Sequence, residues 1–598
     1  MTANAIKALF EQGKYQEVVN QLTQWEVDGL FDTFTEQEQI ECIYYQSYAL
    51  HQGLGQFETA LQIVLAARQK YTTLTDQSLL LALITQQIFG LCEMARFDEA
   101  HEAIIEGDAI LESITAKERE TGAYWIAFFE NRKGVYYWYK KDLDTALEYY
   151  QRALSLREKI GDLSAIAHSL SNLGLLYYTK GELDTALDYY QRKLDLARQM
   201  GDSQSIALTF TLIGHAYRDK GALDTALTFY QQALNIYEDI GSVWIAGALG
   251  YIVTPYILKG ELNTALEYNR RCLSLSREVY QKTENAYHLA LCFYRFAWIY
   301  YSKGELDTAL DYIQQTLTFQ GTIGELEPFS FAIFLSALIY QARGELNISL
   351  EYLKQCLSNE EKIGNDFEIS GVLFELIRVV LAQKKRPQAQ EYLNRLQQLQ
   401  NRTKNPRILL RSRLAEALIL KQSLRALEKF QAQAILKQIV QEDVIEFNLT
   451  ALAIVQLCEL LILEVKLLGS VEIWEEAKAL IDKLYEIAQN QRSVSMSVEA
   501  LLLLAKAAAV DGDLPQALRY YEQARLTATE KNLTGLLAKV DTQQKRFEAE
   551  FETWRKLIQS NASLQERVKK TEMEDYMKEV ENYVKVQQML KTDFPREL

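Results

Sequence analysis

The sequence predicts an all-α fold, a right-handed α-solenoid of about a dozen helical hairpins closed by C-terminal capping helices. Three observations predict it. The phrase Gly-Glu-Leu-Asp-Thr-Ala-Leu-Asp-Tyr-Tyr-Gln-Arg at 181–192 recurs, in close variants, from positions 141, 221, 260, 304 and 344. The successive intervals are 40, 40, 39, 44 and 40 residues, a period at which each unit buries its apolar face only against its neighbours. Within each copy the apolar residues step by three and four, the spacing of one helix face. Finally, 48% of the 598 residues are apolar and six are proline, which suits long helices with short joints.

The copy from Ala167 to Asp202 shows why a unit is a hairpin. Leu170, Leu173, Gly174 and Tyr177 form one helical stripe. Gly181 ends it, because glycine enters a tight turn without steric cost. Leu183, Ala186, Leu187, Tyr190 and Leu194 form a second stripe, and Gly201-Asp202 closes the unit. Asp184 sits at the start of the second helix, where a carboxylate suits the positive dipole end. Gly174 and Ala186 let the helices approach, with Tyr177 and Tyr190 expected to fill the gap between them.

With Gly181 at the turn, Leu173, Gly174, Tyr177, Ala186 and Tyr190 resemble the tetratricopeptide repeat (TPR) pattern. Leu170 stands where that pattern has Trp, and no Pro closes the unit. Long units with a Gly-Asp joint are similar to those of Pins-type adaptors, kinesin light chains and Rap-type regulators. The resemblance implies TPR-like hairpins that bind peptides or protein domains and have no chemistry of their own.

Taken in order, residues 1–120 read as divergent N-terminal units around Gly13, Gly55 and Ala95, and 121–365 as the well-spelled array. Residues 366–530 read as divergent units around Ala389, Ala432, Ala477 and Ala517, with 401–406 the best candidate for a joint between halves. Residues 531–598 read as a capping helix followed by an amphipathic helix bearing Tyr576, Val580, Tyr583 and Val584. That last segment is a polar-faced cap or a self-association surface.

The net charge of −16 weighs against nucleic acid as the main partner. No apolar segment follows Met1-Thr-Ala-Asn-Ala, so neither a signal peptide nor membrane insertion is expected. Six scattered cysteines read as buried thiols of a cytoplasmic protein. No phosphate loop, metal-ligand spacing among the five histidines, or nucleophile motif occurs, so no enzyme activity, metal or cofactor is expected.

Two surfaces stand out. Between Lys384 and Lys437 thirteen Lys/Arg face three Glu. The stretch is either a set of outer faces offsetting acidic neighbours or an anion site carried by Arg407, Arg411 and Arg413. The second follows from the resemblance, since first helices lining such a superhelix expose positions 2, 5, 9 and 12. That register gives Phe128, Asn131, Val135 and Trp138, then His168, Ser171, Leu175 and Tyr178, then Leu208, Thr211, His215 and Arg218. Leu291, Tyr294, Trp298 and Tyr301 follow, then Phe331, Phe334 and Leu338. These residues either pack between units or line a groove for a partner. The partner-binding set is Asn131, Trp138, His168, Tyr178, His215, Arg218, Tyr294, Trp298, Tyr301 and Phe334.

The function expected is a non-enzymatic scaffold or adaptor holding a peptide segment or protein domain in its concave groove. The alternatives are a regulatory sensor whose curvature changes on binding and a self-assembling structural subunit.

Overall fold

The computed structural model describes residues 3–573 and 577, apart from 12–13, 54–55, 72–73, 75, 243, 284–285, 304, 321–326, 404, 443–446, 491–493 and 531–533. Gly13, Gly55, Gly304 and the stretch bearing Tyr576, Val580, Tyr583 and Val584 lie outside the described residues. Among the described residues every regular element is helical. The chain forms two compact units, Met1–Ser205 and Ile206–Leu598.

The first unit stacks five hairpins. They are α1 (Ala3–Glu11) with α2 (Tyr15–Val27), α3 (Glu36–Tyr48) with α4 (Phe57–Lys70), and α5 (Leu80–Glu93) with α6 (Phe97–Ser113). A short α7 (Ala116–Thr121) leads into α8 (Ala123–Tyr139) with α9 (Leu143–Ile160), then α10 (Leu163–Lys180) with α11 (Leu183–Met200).

Local chemistry sets these boundaries. Asp162 accepts a hydrogen bond from the Ala165 amide at 3.0 Å and caps α10. Gly181 turns the chain at φ +80° and Gly201 stops α11 at φ +68°, angles that side-chain-bearing residues seldom adopt. Ala95 and Lys141 make the corresponding turns at φ +57° and +63° without glycine.

The interface within a hairpin is specified twice. A Cβ on Gly174 would lie 2.3 Å from the Tyr190 ring, and one on Gly134 2.5 Å from Tyr150. Tyr190 therefore fills the gap between its helices, whereas Tyr177 stacks on Tyr189 instead, at 5.4 Å between ring centres. The same stack joins Tyr137 to Tyr149 at 5.4 Å.

The second unit continues this design from Ile206, in the helix α12 (Ser203–Asp219), which pairs with α13 (Leu223–Asp239). Next come α14 (Ile245–Lys259) with α15 (Leu262–Thr283), α16 (Tyr287–Ser302) with α17 (Leu306–Leu317), and α18 (Glu327–Ala342) with α19 (Leu346–Ile363). Then follow α20 (Asp366–Ala382) with α21 (Arg386–Thr403), α22 (Pro406–Lys421) with α23 (Ala426–Gln441), α24 (Phe447–Leu468) with α25 (Val471–Asn490), and α26 (Val494–Asp511) with α27 (Leu514–Glu530). The aromatic stack recurs at Tyr217–Phe229, Tyr256–Tyr268, Tyr300–Tyr312 and Tyr340–Tyr352. In α14 the pattern gives way: Gly250 leaves room for the Arg295 guanidinium, which a Cβ would meet at 2.6 Å.

The second unit ends in a cap. α28 (Thr534–Ala549), α29 (Phe551–Gln559) and α30 (Leu564–Lys570) follow the last hairpin, and α30 folds back onto α24 and α26. Trp554, Val568 and Met573 are buried there. Arg567 donates to the Val510 carbonyl at 2.6 Å and Gln565 to that of Leu467 at 3.0 Å, satisfying carbonyls that helix ends leave open.

Candidate functional site

The predicted inner stripe has two different environments. In the first unit it stays accessible: Trp138 and Tyr178 are half-buried and His168 is exposed. Asn131 is buried and accepts a hydrogen bond from Asn172 at 2.8 Å, tying α8 to α10. The Trp138 indole N–H is shielded from water and has no acceptor among the described residues. His168 presents an open edge, yet desolvation by the surrounding helices holds its imidazole down, to about 4, with Lys193, Arg157 and Arg132 acting the same way.

In the second unit the stripe is interior. His215, Arg218, Tyr294, Trp298 and Phe334 are buried, and Tyr301 is half-buried. His215 Nδ1 lies 2.8 Å from the Tyr230 hydroxyl. Arg218 Nε donates to Asp219 at 2.9 Å, and Asp219 also meets Arg407 Nη1 at 3.3 Å. That last contact joins residues 188 apart in the chain, so the first hairpin of this unit touches the sixth. The stack has come round on itself, and its inner face is filled with protein.

The basic stretch is engaged within the chain. Arg407 and Arg411 are buried with their guanidinium carbons 4.2 and 4.0 Å from the centre of the Phe367 ring, and Arg411 donates to Ser370 and the Phe367 carbonyl at 2.7 Å. Arg413 is paired with Glu442 at 2.7 Å. Arg395 meets Glu361, Arg402 meets Asp366, Lys421 meets Glu459, and Lys437 meets Glu476. The Arg413 and Arg402 pairs close within their own hairpins, and the others cross to a neighbouring one.

Three cations were missed by the stripe argument. Lys193, on α11, is 4% exposed, and its Nζ donates to Ser171 on the stripe at 3.1 Å. Arg157, on α9, is 2% exposed, donates to Ala165 O at 3.0 Å and Ser169 Oγ at 2.8 Å, and covers the Phe128 ring at 4.5 Å. Arg132, on α8, stacks on Phe89 at 4.1 Å. Burial draws Lys193 down to about 8, against the pull of Asp202, and Arg157 down to about 10.

A signal for Lys193 was present in the sequence. Its place in the second helix is held by Ala153, Ala233, Cys272, Thr316 and Cys356 in the other copies, all small and all buried. A lysine there is an intrusion that packing does not require.

The lysine carries a stability cost with a definite sign. Its folded value of about 8 lies below the ordinary 10.5, so the unfolded chain binds the extra proton between them, and stability rises with pH across that window. Lys193→Met is expected to stabilise the protein by about 1–3 kcal/mol near pH 7 and by less above pH 10. Chemical denaturation of both proteins at the two pH values checks this; an equal gain at both would show that the cation is not desolvated.

Two of the cysteines meet. Cys272 and Cys292 bring their sulfurs to 3.2 Å between α15 and α16, and all six cysteines are unbridged and buried. Among the described residues no group of three His, Cys, Asp or Glu is placed to hold a metal ion, and no helix is long and apolar enough to cross a membrane.

The tetratricopeptide repeat family model matches residues 125–199 and 166–239. No curated protein matches the sequence. Similar solved structures include a Rap protein complexed with competence and sporulation factor, at 15% identity over 62% of this chain and 99% of that one, with a TM-score of 0.45. Aspartyl phosphate phosphatase F from Bacillus subtilis is similar at 16% identity over 61% and 95%, TM-score 0.42. The apo form of the quorum sensor NprR from B. thuringiensis is similar at 15% over 61% and 99%, TM-score 0.41. The family model falls on the hairpins whose glycine–tyrosine packing is described above, so residues 125–239 are tetratricopeptide repeats.

Proposed function

We propose that this protein is a non-enzymatic scaffold or adaptor of the cytoplasm that holds a segment of a protein partner on the inner face of α8 and α10. The observation that supports this reading is the contrast along one stripe. The second unit buries its stripe in its own interior, whereas the first leaves Trp138, His168 and Tyr178 accessible beside Asn131. Aromatic rings with one open face and an unsatisfied indole N–H supply the anchoring area and the polar contact that a bound segment needs. Buried anchors of this kind commonly contribute about 2 kcal/mol or more each.

The test is a double substitution, Trp138→Ala with Tyr178→Ala, in the full chain. A partner captured from the native cell is expected to bind the variant at least about tenfold more weakly. Circular dichroism is expected to show unchanged helical content, because both rings are only half-buried. Undiminished affinity would place the partner elsewhere.

A further inference from the structure

Two hairpins of the second unit reverse differently from the rest. Elsewhere in the unit the second helix starts three residues before its small buried residue, as Leu223 precedes Ala226, Leu262 precedes Ala265, Arg386 precedes Ala389 and Leu514 precedes Ala517. α23 and α25 start six residues before theirs, at Ala426 for Ala432 and Val471 for Ala477. Each thus carries nearly one more turn, about 4.5 Å of helix, at the edge where the hairpins reverse.

These added turns are apolar. Among the described residues nine large apolar side chains are more than half exposed, and six of them are Leu424, Leu427, Phe430, Leu467, Leu468 and Val471. They lie together. Gln433 on α23 donates to Glu464 on the antiparallel α24 at 3.5 Å. One turn back along α23, Phe430 therefore falls level with Leu467, one turn on along α24. Leu427 falls level with the joint that leads to Val471. Single exposed apolar residues are ordinary, but a contiguous patch of this kind marks contact with something outside the chain.

The border of the patch is basic. Gln422 donates to the Leu381 carbonyl at 3.2 Å, which sets the joint bearing Leu424 beside the one bearing Lys384 and Lys385. Both lysines are exposed and meet no carboxylate among the described residues. The Arg425 side chain is 83% exposed. Of the acids at this edge, Glu428 is shared between Arg386 and Arg425, and Glu472 accepts from Ser470 at the start of α25.

We propose that this edge docks on an anionic lipid bilayer, with the six apolar side chains entering the boundary between headgroups and acyl chains. Lys384, Lys385 and Arg425 would then meet the lipid phosphates. Apolar residues ringed by Lys and Arg are what such a surface takes, since the long basic side chains keep their charges at headgroup level. A second copy fits less well, because two such borders would set lysine against lysine. A folded protein partner also fits less well: Leu424 is 99% exposed and stands on a projecting turn, with no groove of this chain to seat a partner around it. A fluid partner closes around such a side chain without a preformed groove.

The experiment mixes the full-length chain with vesicles of phosphatidylcholine containing about one-third phosphatidylserine, and with vesicles of phosphatidylcholine alone, and measures co-sedimentation. Binding to the anionic vesicles is expected to be at least about tenfold stronger and to weaken with added salt. Leu424→Ser with Leu427→Ser is expected to weaken it at least about tenfold, with helical content unchanged because both side chains are exposed. Lys384→Gln with Lys385→Gln is expected to weaken binding to the anionic vesicles only. Val27→Ser, at an exposed apolar residue of the first unit, is expected to change nothing. No binding by the parent, or equal binding by the parent and the double serine variant, overturns the proposal. A dimer in light scattering that the serine variant dissolves, without vesicle binding by the parent, overturns it in favour of a second copy. A protein captured by the parent and lost by the serine variant, again without vesicle binding, overturns it in favour of a protein partner.

Discussion

Asp219→Ala is expected to destabilise the second unit by about 3–5 kcal/mol, the usual cost of removing one partner from a buried charge pair. Asp219 is 2% exposed and receives Arg218 and Arg407, which are themselves buried. Its loss strips compensation from two guanidinium groups that water cannot reach. The position gives the result a second reading, because this carboxylate joins the first hairpin of the unit to the sixth. Limited proteolysis of the variant should therefore open sites in α12 and α22 together. A loss below about 1 kcal/mol in urea denaturation would mean that the contact is solvated and the stack is not closed there.

Trp298→Ala is expected to cost a comparable amount, about 3–5 kcal/mol, as a large core ring replaced by a cavity. Trp298 is 1% exposed and stands edge-on to Tyr294 and Tyr301. Trp138, on the stripe of the first unit, is half-buried, and the same truncation there removes less packing. Thermal denaturation of the two single variants side by side gives the comparison. Equal, small losses would return Trp298 to an accessible groove.

These two residues mark where the sequence stops being informative. The hairpins are legible because their causes are local: a glycine at the turn, a small residue facing a tyrosine, and an apolar step of three and four. Even the links from Arg395 to Glu361 and from Lys421 to Glu459 lie within about one repeat, at 34 and 38 residues. Asp219 and Arg407 are separated by many repeats, and no periodicity says how tightly successive hairpins turn. Whether a stripe faces solvent or protein depends on that turn. The stripe could thus be placed from sequence in both units, while its accessibility could not. Tyr177 and Tyr190 show the same limit on a smaller scale, since adjacent aromatics at 189 and 190 both offered a partner and only packing chose between them. Lys193 is the opposite case. Aligning the copies exposes it as the charged residue at a small buried position, but a stripe read only from the first helices passes over it.

The central claim is that the first unit supplies the binding face. Hydrogen–deuterium exchange on the full chain, with and without its captured partner, tests it most directly. The account predicts added protection in α8 and α10, at 123–139 and 163–180, with the helices of the second unit unchanged. Protection confined to residues 206–598 would contradict it.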